Sequence, residues 1–189
     1  MVTPAPWVIL FLPFLCALLI CLFLMKSPKA ACLLSITGIL VSLVLSLFLF
    51  WFYSKNSSTL PAESSFLWFH TSGLSVEFGF LMDSLTLLML LVVTGVGSCI
   101  FIYSAGYMAG DGSTPRYFAS LSLFAFSMIG IVLSNNFLML FVFWELVAVS
   151  SYLLIGFWFE KPSAADAGNK AFIVNRLADV GLIIGIFYL

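Results

Sequence analysis

Residues 31–53 run for 23 positions without one Asp, Glu, Lys, Arg or His. At about 1.5 Å per helical residue such a run reaches across a hydrocarbon core of about 30 Å. In that solvent every backbone N–H and C=O must be satisfied within the segment, so the run can only be a helix or part of a closed barrel. Barrel strands alternate apolar and polar residues, and this run is apolar throughout. Similar runs occupy residues 7–25, 84–103, 116–133 and 137–159, and a further one fills the chain from Lys170 to Leu189. Charged residues make up 8% of the sequence, where a soluble domain carries about 25%. The expected fold is therefore all-α: about six transmembrane helices, with the lipid bilayer as solvent.

One segment breaks the helical pattern. Between the second and third spans, Leu74, Val76, Phe78 and Phe80 alternate with Ser75, Glu77 and Gly79, which is strand periodicity. Phe66-Leu67-Trp68-Phe69 precedes it, with Thr71-Ser72-Gly73 between them. The pattern predicts a short β-hairpin against the membrane surface, turned at the glycine. His70, the single histidine, sits here and reads as a solvated or interfacial side chain. Asp83 precedes the third span, where a carboxylate satisfies free backbone N–H groups as a helix cap. Ser134-Asn135-Asn136 is a tight connection, so the fourth and fifth spans should be antiparallel neighbours.

The domain organisation follows: residues 1–53 as two leading helices, 54–83 as an external loop holding the hairpin, 84–115 as a third helix and inner loop, and 116–189 as three further helices. Loop charges orient the chain. One side collects Lys26, Lys29, Arg116, Lys161 and Lys170, and the other only Lys55. The N-terminus and hairpin are thus expected outside. The first span reads as retained: no positive charge precedes it, and no small-residue cleavage site follows it. The net charge is −1, without a basic cluster, so no nucleic-acid partner is expected. The four cysteines (Cys16, Cys21, Cys32 and Cys99) lie in apolar runs without ligand spacing and read as small hydrophobic residues. No redox or metal centre is expected on the chain.

The chemistry is expected where charge enters the spans. Glu145 lies nine residues past Asn136, about 13 Å deep. A midplane acid costs a span roughly 2.5–3.5 kcal/mol on insertion scales. It is either half of a static buried pair or a station on an ion or proton path, and the cost favours the path. Arg176 and Asp179 are three apart and share a helical face, with Asn175 four from Asp179. They are either a self-neutralised anchor or a pair that changes partners as a proton moves. Counted from a helix start at Lys170, Asp179 is also about 13 Å deep. Lys170 reads as a snorkelling residue or as the inner mouth of a path.

Three blocks carry a family resemblance: Phe78-Gly79-Phe80-Leu81-Met82-Asp83-Ser84-Leu85-Thr86; Phe143-Trp144-Glu145-Leu146 continuing to Ser151-Tyr152-Leu153-Leu154-Ile155-Gly156-Phe157; and Lys170-Ala171-Phe172-Ile173-Val174-Asn175-Arg176-Leu177-Ala178-Asp179-Val180-Gly181. In order, they resemble the subunit L (NuoL) family, the bacterial antiporter-like chain 5 subunits of proton-translocating NADH–quinone oxidoreductase, respiratory complex I. The large subunits of Mrp-type cation/proton antiporters share the last two blocks, as do membrane hydrogenase and chloroplast-type subunits. The resemblance implies a membrane-arm translocase subunit, without redox chemistry of its own, that moves protons while quinone is reduced elsewhere. It places NADH, FMN, Fe–S clusters and quinone on other chains and implies neighbouring membrane-arm and antiporter-like subunits as partners. It implies a bacterial inner membrane and proton-translocating roles for Glu145, Lys170, Arg176 and Asp179. Ala178 stands where the family commonly has glycine. Family members are built on two inverted five-helix repeats, so residues 116–189 correspond to the first three helices of one repeat. A lysine that the family pairs with the glutamate lies on the next helix. The chain is expected to be the N-terminal part of such a subunit and inactive alone: a fragment, a truncated gene product, or one piece of a subunit whose remainder after Leu189 is a separate chain. Two other readings stand beside this one: the corresponding part of a Mrp-type Na⁺/H⁺ antiporter, and a structural membrane fragment without transport.

Overall fold

The computed structural model describes residues 4–55, 60–71 and 74–188. Helix α1 covers Ala5–Leu19 and runs on into a π-helical turn, Ile20–Leu24. Helix α2 covers Pro28–Lys55, strands β1 and β2 cover Ala62–Thr71 and Leu74–Met82, and α3 covers Ser84–Tyr107. Then come α4 (Thr114–Leu133), α5 (Phe137–Ile155) and α6 (Pro162–Tyr188). Six helices among the described residues are long and apolar enough to cross a membrane. The expected class, helices with one small hairpin, is the observed one.

Helix α4 is the hub, packing against α1, α2, α3 and α5. Its composition explains this. Ala119, Ser120, Ser122, Ala125, Ser127 and Gly130 are all buried along it. Lipid offers no hydrophobic drive between helices, so close approach and hydrogen bonding hold them together, and small residues permit both. Ser122 Oγ meets Ser35 Oγ of α2 at 3.0 Å in the buried interface. Other hydroxyls in the spans return to carbonyls of their own helix, as Ser42 does to Gly38 O (3.1 Å) and Ser98 to Thr94 O (2.7 Å). Such self-satisfaction lets polar residues sit in lipid-depth packing without a path being implied.

The hairpin is an antiparallel pair with Phe66 opposite Phe78 and Ala62 opposite Met82, and the register shifts between Leu67 and Phe69. Ser72 and the expected turn residue Gly73 lie outside the described residues, as do residues 56–59 of the polar stretch. The base of the hairpin is built into the bundle. Phe80 and Met82 are fully buried, and Trp7 of α1 packs on Phe66, Phe78 and Phe80 with ring centroids 5.2–5.9 Å apart. Beyond the base, Phe66, Leu67, Trp68 and His70 are exposed. Asp83 caps α3 as expected, accepting from the Thr86 backbone N–H at 2.7 Å.

Two boundaries differ from the sequence reading. Helix α5 ends at Ile155, capped by Gly156, rather than near residue 159. Helix α6 begins at Pro162 rather than at Lys170. Proline suits the first helical position, because its missing N–H would be unpaired there anyway. Lys170 therefore lies inside the helix, about 12 Å from its start. The 27 residues of α6 span about 40 Å, longer than the hydrocarbon core. The basic loop count falls to Lys26, Lys29, Arg116 and Lys161 against Lys55, with the same sign.

Candidate functional site: a charged cluster between two helices

The cluster is built from the start of α5 downward. Asn136 caps that helix, its Oδ1 accepting from the Met139 N–H at 2.8 Å. Its Nδ2 donates to Glu77 O of β2 at 2.8 Å, while Asn135 Nδ2 donates to Glu63 Oε1 of β1 at 2.8 Å. Phe80 also bridges Ser134 in antiparallel fashion. Gly79 allows this clamp: a Cβ there would stand 2.6–2.7 Å from Ser65 Cβ, Asn135 Nδ2 and Ser64 O. The hairpin thus fixes where α5 begins, and so the depth at which Glu145 arrives.

Rotation of α5 is fixed by Phe143. Its buried ring lies against Gly130 of α4, where a Cβ would come within 2.1–2.4 Å of the ring. With that side chain locked toward α4, the next two residues, each about 100° further round, turn toward α6. Trp144 and Glu145 both find partners there.

The two helices meet in antiparallel register. Glu145 is opposite Arg176, and Trp144 is opposite Asp179. Lower down, the Tyr152 ring lies 5.6 Å from Phe172, and Gly156 touches Gly168. At the charged level Arg176 is shared. Its Nη1 pairs with Glu145 Oε2, and its Nη2 stands 2.9 Å from Asp179 Oδ2. The guanidinium lies over the Phe172 ring, 5.1 Å from its centroid. Trp144 Nε1 donates to Asp179 Oδ1 at 2.9 Å. Asp179 is buried, whereas the Glu145 and Arg176 side chains keep 24% and 32% exposure. Arg176 Nε and Nη2 and Asp179 Oδ2 are buried without a hydrogen-bond partner among the described residues, so the Nη2–Oδ2 contact is an ion pair and not an aligned hydrogen bond.

Three of the four sequence candidates are thus brought together. Lys170 is not. It is exposed, nine residues from Asp179, which is about 13 Å along α6 and half a turn round to the opposite face. Asn175 is also exposed. The depth of Asp179 needs correcting, because counting from Lys170 assumed that the helix began there. Asp179 is level with Trp144, which lies seven residues into α5, about 10 Å from its hairpin-side end. It remains inside the span.

Sequence reasoning overlooked Trp144. The signal was present: an indole N–H at membrane depth needs an acceptor, and helical carbonyls are already engaged. It also overlooked two ties outside the spans. Asp111 accepts from Ser113 N (2.7 Å) and from Trp158 Nε1 (3.2 Å). These bonds, the backbone one first, hold its carboxyl below the ordinary aspartate range and join the α3–α4 loop to the α5–α6 loop. Arg116 Nη2 donates to Phe157 O at 2.9 Å, satisfying a carbonyl just past the α5 terminus. Among the described residues no group of three or more His, Cys, Asp or Glu could hold a metal ion.

Chemically, the cluster has one surplus negative charge when both acids are ionised. One guanidinium serves two carboxylates inside a span, where unbalanced charge is costly. The surplus is relieved by a proton on either acid or by a further cation.

Comparisons with known proteins match both halves of the chain. The family described as "NADH-Ubiquinone oxidoreductase (complex I), chain 5 N-terminus" matches residues 68–118. That described as "NADH:quinone oxidoreductase/Mrp antiporter, TM" matches residues 134–189, including every charged residue of the cluster. The chain is 43% identical over 190 residues to the chloroplastic NAD(P)H-quinone oxidoreductase subunit 5 of Zygnema circumcarinatum, covering 97% of this chain and 27% of that one. It is 41% identical over 187 residues to the same subunit of Physcomitrium patens, covering 95% and 26%. It therefore spans about a quarter of the length of these relatives. Among solved structures, the Mrp complex from Dietzia sp. DQ12-45-1b shares the fold, with a TM-score of 0.75 at 22% identity over 95% of this chain and 18% of that one.

Proposed function

The chain belongs to the antiporter-like chain 5 family of NADH–quinone oxidoreductase, and from that premise we propose that it forms the N-terminal part of a membrane-arm subunit that translocates protons while quinone is reduced elsewhere in the assembly. The observation that carries this reading is the sharing of Arg176 between Glu145 and Asp179. A self-neutralised anchor needs one acid for one base. Two acids on one base leave a vacancy for one positive charge, and a proton fills it. Loading Glu145 with a proton leaves Arg176 to Asp179. Unloading it draws Arg176 back. Proton occupancy is thereby tied to the position of the guanidinium.

In this reading the subunit is part of a translocase, and NADH, FMN, Fe–S clusters and quinone belong to other chains. Its partners are neighbouring membrane-arm subunits, antiporter-like ones included. The basic residues at the helix ends support an outward N-terminus and hairpin; a bacterial inner membrane rests on the family resemblance alone, and the relatives named above are chloroplastic. Lys170 is the inward continuation of the path, under two turns from Arg176 and about two and a half from Asp179 along α6. The Mrp-type reading uses the same cluster with Na⁺ exchanged for H⁺.

The test is Glu145→Gln in membranes of the source organism, with assembly checked by the amount of subunit retained. Proton uptake driven by NADH oxidation is expected to fall at least several-fold at unchanged assembly. Wild-type pumping in the assembled variant would overturn the proposal. Proton movement that follows a Na⁺ gradient without electron transfer would favour the Mrp-type reading.

A further inference from the structure

Each oxygen of Asp179 has its own polar neighbour, and the two come from different helices, but only the indole N–H makes a hydrogen bond to it, the arginine contact being an ion pair. Oδ2 faces Arg176 Nη2 from one turn away on α6, at 2.9 Å. Oδ1 accepts from Trp144 Nε1 of α5, also at 2.9 Å. We propose that Trp144 is a positioning residue of the cluster: its indole N–H holds the Asp179 carboxylate in place while Arg176 is drawn to Glu145. This rests on the translocation reading above and extends it to a residue without charge.

Indole N–H gives one hydrogen bond and accepts none. It neither carries the proton nor competes for it. Its effect on an acid is one-sided, because a donor stabilises the carboxylate more than the neutral acid. Asp179 needs such a donor more than Glu145 does, because it is buried while Glu145 is partly open. Among the described residues, no donor besides Trp144 and Arg176 faces Asp179. When Arg176 leaves for Glu145, the indole is what remains. Without it a buried carboxylate would be stranded, and it would pull the arginine back and hold Glu145 away from its cation.

Connectivity gives the same residue a second effect. Trp144 and Glu145 are consecutive on α5, and Arg176 and Asp179 are three apart on α6. The two cross-helix contacts are therefore made at one level by adjacent residues. A slip of α5 against α6 that parts Glu145 from Arg176 must also strain the indole bond. Trp144 thus holds the register within which the guanidinium moves. Phe143, locked against Gly130, keeps the indole turned toward α6.

The test uses the assembled complex in native membranes. Trp144→Phe keeps an aromatic ring and removes the N–H. The expected result is unchanged subunit content and proton pumping lowered about tenfold, the scale of one hydrogen bond to a charged group. Trp144→Gln restores an N–H without the ring and should recover most of the pumping. Wild-type pumping in W144F, or W144Q as defective as W144F, would overturn the proposal. If W144F fails to assemble, Trp144→Met takes its place as the variant without a donor, with the same expected and overturning results. Glu145→Gln is measured in parallel to separate the two ideas. Loss of pumping in E145Q with full pumping in W144F sinks only the role of Trp144, whereas full pumping in E145Q sinks the translocation reading itself.

Discussion

Arg176 serves two carboxylates at once, and that decides which residues can replace it. The planar guanidinium reaches Glu145 with one nitrogen and Asp179 with another. A lysine ammonium is a compact point charge without that fork. Arg176→Lys should therefore keep the subunit in the membrane yet lower pumping several-fold, because the ammonium favours one acid and exchanges slowly with the other. Arg176→Ala is a different lesion. It leaves two acids in a span without a cation, a loss of about 3 kcal/mol, the low end for broken buried pairs because Arg176 is about a third exposed. The subunit content of the membrane should fall, as quantified by immunoblot against a second subunit; equal levels of R176A and R176K would contradict this account. The charged residues were legible in the sequence because each is a costly exception in an apolar run. Trp144 was not, because a tryptophan is no exception there and only its N–H has to be satisfied. Lys170 was misplaced through its surroundings: Ala164, Ala165, Gly168 and Asn169 look like a loop, and the helix that contains them is set by Pro162 and by the Gly156–Gly168 contact.

At the scale of the element, helix starts were easier to read than helix ends. Asp83 and Asn136 each accept from a backbone N–H three residues on, at 2.7 and 2.8 Å. A short polar side chain before an apolar run is a strong sign of a cap. The end of α5 at Gly156 was hidden because the apolar residues continue to Phe159 while the backbone has already turned. The capping bond also has a pH dependence. The Thr86 N–H, the largest contributor, holds the Asp83 carboxyl below its ordinary value. The capping contribution is thus fully present above the ordinary aspartate range, near 3.9. It is lost as pH falls through the lowered folded value. Asp83→Ala should cost about 0.5–2 kcal/mol, seen as faster amide exchange in the first turn of α3 at pH 7. Between pH 7 and pH 2 the wild type should converge on the variant. A gap that persists undiminished at pH 2 would show that Asp83 acts through something other than its charge.

In the whole molecule, α4 is the packing centre: α1, α2, α3 and α5 make small-residue contacts with it, while α6 packs chiefly on α5 and buries Gly168 and Asp179. The class of fold was legible because lipid leaves so few solutions for apolar runs. The centrality of α4 was not, because serine and alanine announce close packing without naming the partner. The hairpin marks one end of this arrangement and the basic residues the other: Lys26, Lys29, Arg116 and Lys161 gather at the far end, and only Lys55, stacked on Trp51, lies near the hairpin. Translocation retains such residues on the inner side, so the hairpin should face outward. Leu67→Cys places a thiol on an exposed part of the hairpin, and Ser163→Cys places one at the exposed start of α6. The native cysteines lie within or at the ends of the spans, away from both reporters, and are replaced by serine or alanine to silence any background. In right-side-out vesicles a membrane-impermeant maleimide should label the Leu67 position at once and the Ser163 position only after permeabilisation. The reverse pattern would invert the molecule and turn Lys170 toward the outer half of the membrane.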